Sequence, residues 1–178
     1  MEYILRHFGK CSIPILWYCL LVAQSCIPGL YKFNDTNFDP AIESFYVGTF
    51  EVRTGNAPPT ITQTFEEALK IKIRRESPLQ EDDVAPHIEF KGIVSSFNVL
   101  PTTPQAGETV AFNRLTITLE IEYIDHFHND EKANWKQSFS RFADFSTEQN
   151  LLDVQNDLIQ LIGDQIIEDI FNRAFTDW

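Results

Sequence analysis

Residues 109–124 read TVAFNRLTITLEIEYI and carry the clearest strand pattern in the chain. Apolar side chains occupy every second position, with threonine and glutamate between several of them, at Leu115, Ile117, Leu119, Ile121 and Tyr123. Successive side chains of a strand point to opposite faces of a sheet, so the alternation predicts one face against a core and one face in water. A sheet of this kind needs to be covered by helices on one side only.

Two flanking segments share this period of two. In residues 87–99 the apolar alternation slips in phase near Ser95 and Ser96, which predicts a β-bulge there. Residues 134–145 follow a polar connection at 125–133 and read as the partner strand of a hairpin.

The remaining segments supply one more strand and two helices. Residues 45–52, FYVGTFEV, predict a strand with apolar residues on both faces. The period becomes helical over residues 60–77, which open on a Thr-x-x-Gln capping box. A second amphipathic pattern of about 30 residues runs from Thr147 to near the C-terminus, behind a Ser-x-x-Gln box.

The element order is therefore strand, helix, three strands, helix. Strands that are joined by short turns favour antiparallel pairing, and two helices can cover one side of the sheet. The sequence predicts an α+β domain over residues 43–178. We expect a four-stranded, mainly antiparallel sheet with both helices packed on one face.

The first 25 residues look like a segment that is removed. The apolar run from Ile13 to Ala23 is too short to span a membrane, which takes roughly 20 residues. Basic Arg6 and Lys10 precede the run, and this arrangement is typical of a secretory signal. A buried N-terminal strand or helix of a cytosolic protein is the alternative.

Cys26 directly follows this segment and is the last residue of the stretch AQSC at 23–26. The stretch resembles the lipobox of bacterial lipoproteins, in which cleavage leaves a lipid-modified cysteine as the first mature residue. Ser25 fits that pattern, whereas the two residues before it depart from the usual leucine and small residue. We expect a signal over 1–25, lipid attachment at Cys26 and a tether over 26–42. Ordinary signal cleavage near the same site is the alternative.

Composition excludes several classes of function. The chain carries a formal net charge of −12, and nucleic-acid binding needs clustered lysine and arginine, so nucleic acid is not an expected partner. The three cysteines are Cys11, Cys19 and Cys26. The chain after Cys26 can therefore form neither an internal disulfide nor a cysteine-ligated zinc site.

The stretch DHFHND at 125–130 is the strongest candidate for metal chemistry. His126 and His128 are two positions apart, and on a strand both imidazoles would share a face and could bind one metal ion. Histidine, asparagine and aspartate are also common in turns, where they form local hydrogen bonds. We favour the turn and predict no metal site.

No pattern indicates catalysis. The chain contains no G-x-S-x-G, H-E-x-x-H or P-loop sequence. The carboxylate pairs Glu66-Glu67 and Asp82-Asp83 are expected to be solvated charges, because acid–base catalysis requires carboxyl groups in unlike environments. We expect neither catalytic residues nor a cofactor.

Phenylalanine is more frequent than one sheet face comfortably buries. Either the far face is also covered, or some rings contact a partner; a generously aromatic core is the alternative. An aromatic pocket would suit a free lipoprotein module that binds a small ligand or glycan. The residues concerned are Phe33, Phe38, Phe45, Phe50, Phe142 and Phe145.

Several of these strings together resemble one known family. FNRLTITLEIEY and WKQSFSRFADFS, followed by QNLLDVQNDLIQLIGDQIIEDIFNRAFTDW, look like the LptE family of lipopolysaccharide-assembly lipoproteins. TITQTFEEALKIKI resembles the first helix of that family, and FYVGTFEVRTGNAPP resembles its first strand and turn.

The resemblance implies a non-enzymatic lipoprotein on the periplasmic side of the outer membrane. Members of the family plug the large β-barrel LptD, assist its assembly, and with it move lipopolysaccharide to the outer leaflet. Some members also bind lipopolysaccharide through basic residues on a loop. That property does not carry over residue by residue, because the basic residues here are scattered among acidic ones, at Lys91, Arg114, Lys132, Lys136 and Arg141.

Overall fold

The structure, a computed structural model, describes residues 39–102, 111–128 and 132–176. The predicted signal, Cys26 and most of the predicted tether lie outside the described residues. The described residues form six strands and two helices within the unit Thr36–Trp178. In chain order these are β1 Ser44–Val47, β2 Glu51–Val52, α1 Ile61–Glu76, β3 Gln80–Glu81, β4 Ile88–Pro101, β5 Phe112–Asp125, β6 Trp135–Ser146 and α2 Leu151–Phe175.

Three long strands make up the body of the sheet, as the period-two segments predicted. β5 pairs antiparallel with β4 on one side and with β6 on the other, where Leu119 lies opposite Phe139. The register of β4 shifts between Val94 and Ser96, which confirms the predicted bulge. Because a bulge adds one residue to one strand, the apolar side chains change phase and still reach the same core.

The sheet is mixed and six-stranded, so the prediction of four mainly antiparallel strands was wrong in detail. β1 pairs in parallel with both β3 and β4, and β2 pairs in parallel with β4. Parallel pairing of β1 with β3 arises because α1 carries the chain back along the sheet before β3 begins. The predicted strand 45–52 splits in two, since the Phe50 amide leaves the ladder and donates to Glu66 Oε1 at 2.7 Å.

Both helices cover the same face of the sheet, as predicted. Phe65 of α1 and Ile162 of α2 are fully buried in one core with the inward side chains of β4 and β5. The helices run parallel to each other, because Phe65 lies against Gly163 while Lys72, further along α1, bonds Glu168 further along α2.

The helix starts differ from the two predicted capping boxes. Thr60 precedes α1 with helical backbone and makes no side-chain capping bond. The Ser146 amide does donate to Gln149 Oε1 at 3.3 Å, but this bond closes a turn in front of the helix. α2 begins only at Leu151, behind Asn150, and its 25 residues are fewer than predicted.

Candidate functional site

The face of the sheet opposite the helices is polar. β5 is the middle one of the three long strands, and its side chains alternate between this face and the core. None of its residues Thr116, Thr118, Glu120 and Glu122 on this face is buried, whereas the apolar residues between them are buried. Thr118 shares a hydrogen bond at 3.1 Å with Ser140 on β6. We term this surface the open sheet face, and it is the polar half of the alternation that the sequence shows.

Phe142 places an aromatic ring on the open sheet face. Phe142 is 50% exposed, and the guanidinium carbon of Arg114 lies 3.7 Å from its ring centroid. Arg114 also makes a two-pronged bond to Asp144, at 2.7 and 2.8 Å. This bond raises the pKa of Arg114 and lowers the pKa of Asp144. The ring is therefore covered on one side by a cation that its own sheet holds in place.

The apparent surplus of phenylalanine is largely core. Of the six residues in question, three are buried, one is half exposed and two lie outside the described residues. These are, in that order, Phe45, Phe50 and Phe145, then Phe142, then Phe33 and Phe38. A second cover on the far face of the sheet is not needed to account for those that the structure describes.

A histidine held between two carboxylates lies at the end of the sheet where the described chain begins. His128 Nδ1 is 2.8 Å from Asp125 Oδ2, and His128 Nε2 is 3.0 Å from Asp39 Oδ2. Both bonds can form together only when the ring carries two protons. The hydrogen bonds to Asp125 and Asp39 accordingly raise the pKa of His128. We term these three residues the His128 clasp.

Asp125 is the fixed member of the clasp. It is the last residue of β5, its side chain is 5% exposed, and its Oδ1 accepts hydrogen bonds at 2.9 Å from the amides of Phe127 and His128. These bonds fold residues 125–128 into a turn. The turn interpretation of DHFHND is therefore confirmed for residues 125–128, the part that the structure describes.

The two histidines of this turn have separate partners. His126 Nε2 lies 2.9 Å from Glu89 Oε2, whereas both nitrogens of His128 are used within the clasp. An imidazole binds a metal through a nitrogen lone pair, and the clasp occupies both nitrogens of His128. Within the described ranges, no three His, Cys, Asp or Glu residues come together as a metal site would require.

One carboxylate of each pair accepts backbone amides. Glu66 accepts the Phe50 amide, and Asp82 Oδ1 accepts the amides of Val84 and Ala85 at 2.9 and 3.3 Å. Their neighbours Glu67 and Asp83 are exposed, as expected of solvated charges. Glu66 and Asp82 remain partly exposed, and each additionally fixes a loop next to a helix or a strand.

The scattered basic residues are balanced locally. Four of the five lie within 4 Å of a carboxylate, and Lys132 also has an interaction partner. The four pairs are Lys91–Glu89, Arg114–Asp144, Lys136–Glu120 and Arg141–Asp169. None of these four side chains offers an uncompensated positive charge to an anionic ligand.

A cavity of about 490 Å³ opens beside the His128 clasp. Tyr123 and Trp135 form one wall, with ring centroids 5.4 Å apart and planes inclined by 3°. Burial, with the charge of Asp125 nearby, raises the pKa of Tyr123. Arg173 also lines the cavity, 5.7 Å from the Trp135 centroid. This is the described feature nearest to the aromatic pocket of a small-ligand module.

Sequence reasoning missed Asp39 and the role of Asp125. Asp39 is separated from His128 by 89 positions, so no local pattern connects the two residues. A signal for Asp125 was present, because an aspartate at a strand end commonly accepts the amides two and three residues later.

Two expectations concern the membrane. No helix among the residues that the structure describes combines the length and the apolar character that crossing a membrane takes. Cys26, the predicted site of lipid attachment, lies outside the described residues.

One family model matches the chain. It is that of the LptE family, described as lipopolysaccharide-assembly, and it covers residues 42–174. This range runs from just before β1 to the second-last residue of α2. No curated protein matches the chain.

Two solved structures are similar to this chain at low sequence identity. A hypothetical protein from Chlamydia trachomatis is 10% identical, with 75% of this chain and 96% of that chain covered and a TM-score of 0.50. A minor lipoprotein from Acinetobacter baumannii is 11% identical, with 74% and 91% covered and a TM-score of 0.48. At these identities the likeness concerns the fold alone.

Proposed function

Because the chain belongs to the LptE family of lipopolysaccharide-assembly proteins, we propose that it is a non-enzymatic, lipid-anchored subunit of the outer-membrane lipopolysaccharide translocon. The family match over residues 42–174 carries the proposal, because it includes every strand and all but the last residue of α2. In this role the chain helps to assemble an LptD-type β-barrel and then plugs it from the periplasmic side.

The surface of the chain suits a polar enclosure. A barrel wide enough to pass a glycolipid has a polar lumen lined with side chains. The open sheet face offers hydroxyl groups and paired charges, such as Thr118 with Ser140 and Arg114 with Asp144. Such a face can lie against a polar wall with little apolar surface in water, because Arg114 covers one side of the half-exposed Phe142 ring.

This role needs no active site and no lipopolysaccharide site on the chain itself. Glu66 and Asp82, one carboxylate from each acidic pair, hold backbone amides. The cations of Lys136 and Arg141 lie next to carboxylates of the same chain. In our proposal the barrel provides the path for lipopolysaccharide, and this chain supports the barrel.

Cys26 is the proposed anchor. Each buried CH₂ group of a lipid chain contributes about 0.8 kcal/mol of membrane affinity, so more than one acyl chain makes attachment stable. Metabolic labelling with a fatty-acid analogue should mark the wild type and the Cys19→Ala variant, and it should not mark Cys26→Ala. Persistent label on Cys26→Ala would mean that the anchor is elsewhere.

Affinity purification tests the proposed partner. A C-terminally tagged chain, extracted from outer membranes in mild detergent, should bring down a large β-barrel protein in near-equal amount. A tagged lipoprotein of another family, carrying the same kind of anchor, serves as the control and should recover no such barrel. Recovery of the chain alone under conditions that keep other barrel complexes intact would contradict the proposed role.

A further inference from the structure

Among the described strands, β6 is a long strand at one edge of the sheet. The strand order ends at β6, and within the described ranges no strand pairs with its outer side. β6 has 12 residues, whereas β3 at the opposite edge has two. A long edge of unpaired amides and carbonyls is a template for another strand, and proteins normally keep such edges short or protected.

The hydrogen-bond pattern shows which residues face that edge. The Thr147 amide donates to Ala111 O just beyond the ends of β5 and β6. Bonded and non-bonded pairs alternate along an antiparallel ladder, so the odd-numbered residues of β6 bond to β5. The even-numbered residues, from Lys136 to Ser146, therefore direct their amides and carbonyls outward, with Ser140 near the middle.

The helix layer leaves room for an added strand beside this edge. An open groove of about 670 Å³ lies between β6 and α2. Phe139 and Arg141 line it from the strand, and Asp169 and Asn172 line it from the helix. A strand that paired with β6 would turn half of its side chains into this groove.

We propose that a second copy of the chain occupies this place, with the two β6 strands antiparallel about a two-fold axis at Ser140. Such self-pairing is the symmetric, closed way to remove a free edge. In this register Lys136 lies opposite the partner's Asp144, and Phe139 lies opposite the partner's Arg141. Each of these pairs occurs twice because of the two-fold axis.

Charge complementarity selects this register over its neighbours. An axis at Arg141 sets the two Arg141 side chains opposite each other, and like charges in opposed positions destabilise a sheet. An axis at Phe139 sets Lys136 opposite the partner's Phe142 and forms no ion pair. Among these three centres, only the one at Ser140 pairs opposite charges.

The contacts already present on each face favour the same pairing. On the open sheet face Asp144 bonds Arg114, and a second cation beside it would complete a three-membered charge network. In the groove Arg141 is held by Asp169 at 2.7 Å, with Phe139 two residues before it on the same side of β6. Phe139 is only 6% exposed, so the partner's Arg141 would lie beside the small exposed part of its ring.

Disulfide cross-linking tests the axis. Ser140→Cys in the full chain places two thiols on opposed residues about 5.5 Å apart between Cα atoms, which a disulfide can bridge. Ser138→Cys is the matched control, since both serines are exposed and on one face. The two copies of residue 138 would be about 13 Å apart along the strands. We expect roughly tenfold more 140–140 linked dimer than 138–138 linked dimer, as identified by peptide mass.

Equal cross-linking at both positions, or none at position 140, would overturn the proposal. A cross-link from position 140 to a different protein in outer membranes, together with no 140–140 dimer of the purified chain, would also overturn it, because another strand would then occupy the edge. Far-UV circular dichroism establishes that both variants fold, which is expected for exchanges at exposed serines.

Charge reversal tests the register by a second route. Lys136→Glu alone should raise the dimer dissociation constant about tenfold, because two ion pairs become two repulsive pairs. Combining Lys136→Glu with Asp144→Lys should restore part of the dimerisation, since the opposite charges then face each other again while the bond from Arg114 to residue 144 is lost. Sedimentation velocity measures both effects. A wild-type chain that stays monomeric, or a double variant no better than Lys136→Glu, would contradict the proposed pairing.

Discussion

At the scale of single residues, the His128 clasp ties the start of the described chain to the turn after β5. The pKa of His128 is raised by its bonds to Asp125 and Asp39, and the pKa of Asp39 is lowered by the Ala41 amide and by His128. A group with a raised folded-state pKa stabilises the fold fully below its ordinary value, and that contribution is lost as pH rises through the folded-state value.

His128→Gln should therefore lower the melting temperature more at about pH 5.5 than at about pH 9, on either side of the ordinary histidine pKa of about 6.5. Asp39→Asn provides the control, because it removes one end of the clasp. In the His128→Gln background, Asp39→Asn should have no further pH-dependent effect. An equal loss of melting temperature at both pH values would show that the clasp carries no protonated bridge.

Gly92 is a second residue whose identity the packing fixes. A Cβ atom at this position would lie 2.6 Å from two carbons of the buried Phe50 ring. Gly92→Ala should lower the free energy of unfolding by about 1–3 kcal/mol, because the ring must move within a filled core. At Gly55 nothing lies within 4 Å of an added Cβ, so Gly55→Ala should change stability by less than about 0.5 kcal/mol. Urea denaturation measures both, and equal effects would mean that Phe50 is free to shift.

At the scale of elements, the start of α2 shows how two local patterns compete. Asn150 caps the helix, with its side-chain oxygen accepting the Leu152 amide at 3.1 Å. The Ser146–Gln149 pattern forms its bonds in the preceding turn instead. Spacing identifies both patterns as caps, and only the tertiary path of β6 decides which one opens the helix.

Asn150→Ala should lower the free energy of unfolding by about 1 kcal/mol, the usual value of a lost N-cap. Asn156→Ala is the matched control within the same helix. Asn156 is exposed, and alanine has the higher helix propensity, so that variant should be unchanged or slightly more stable. Thermal unfolding followed by circular dichroism compares them. If both variants melt with the wild type, α2 does not depend on this cap.

A strand could be predicted from the sequence where the pattern of its own side chains determines its position in the sheet. β5 alternates cleanly because one face is buried and the other is not, and the bulge in β4 is visible as a change of phase. β2 and β3 have two residues each, too few to show any period, and their pairing depends on the position of α1. The mixed character of the sheet was therefore not available from local sequence.

The candidate site, too, could be predicted from the sequence only in part. The turn at Asp125–His128 was favoured from composition, and it is a turn. The partners that give it a role, Asp39 and Glu89, come from distant parts of the chain, so local sequence could not identify them.

At the scale of the whole molecule, the end that holds the His128 clasp is the end that the predicted tether reaches. The start of β1, the end of β5 and Asp39 lie together there. β4 is 14 residues long and extends roughly 45 Å from this end to the opposite one. If Cys26 carries the lipid, the His128 clasp lies at the end of the domain that receives the tether.

The barrel-subunit proposal and the dimer proposal concern different states of the chain. The dimer through β6 belongs to the free chain, whereas the translocon subunit is proposed to act as a single copy inside a barrel. Loss of the dimer on barrel binding would be consistent with both proposals. Failure of one proposal leaves the other untouched. The dimer proposal depends on the edge of β6, and the barrel-subunit proposal depends on the family match.

The mass of the complex extracted from outer membranes tests the barrel-subunit proposal most directly. Native mass spectrometry of the tagged chain, purified in mild detergent, should give one species that contains one copy of this chain and one large β-barrel. A species that contains this chain alone, as monomer or dimer, with no barrel at any detergent concentration that preserves other outer-membrane complexes, would contradict the account.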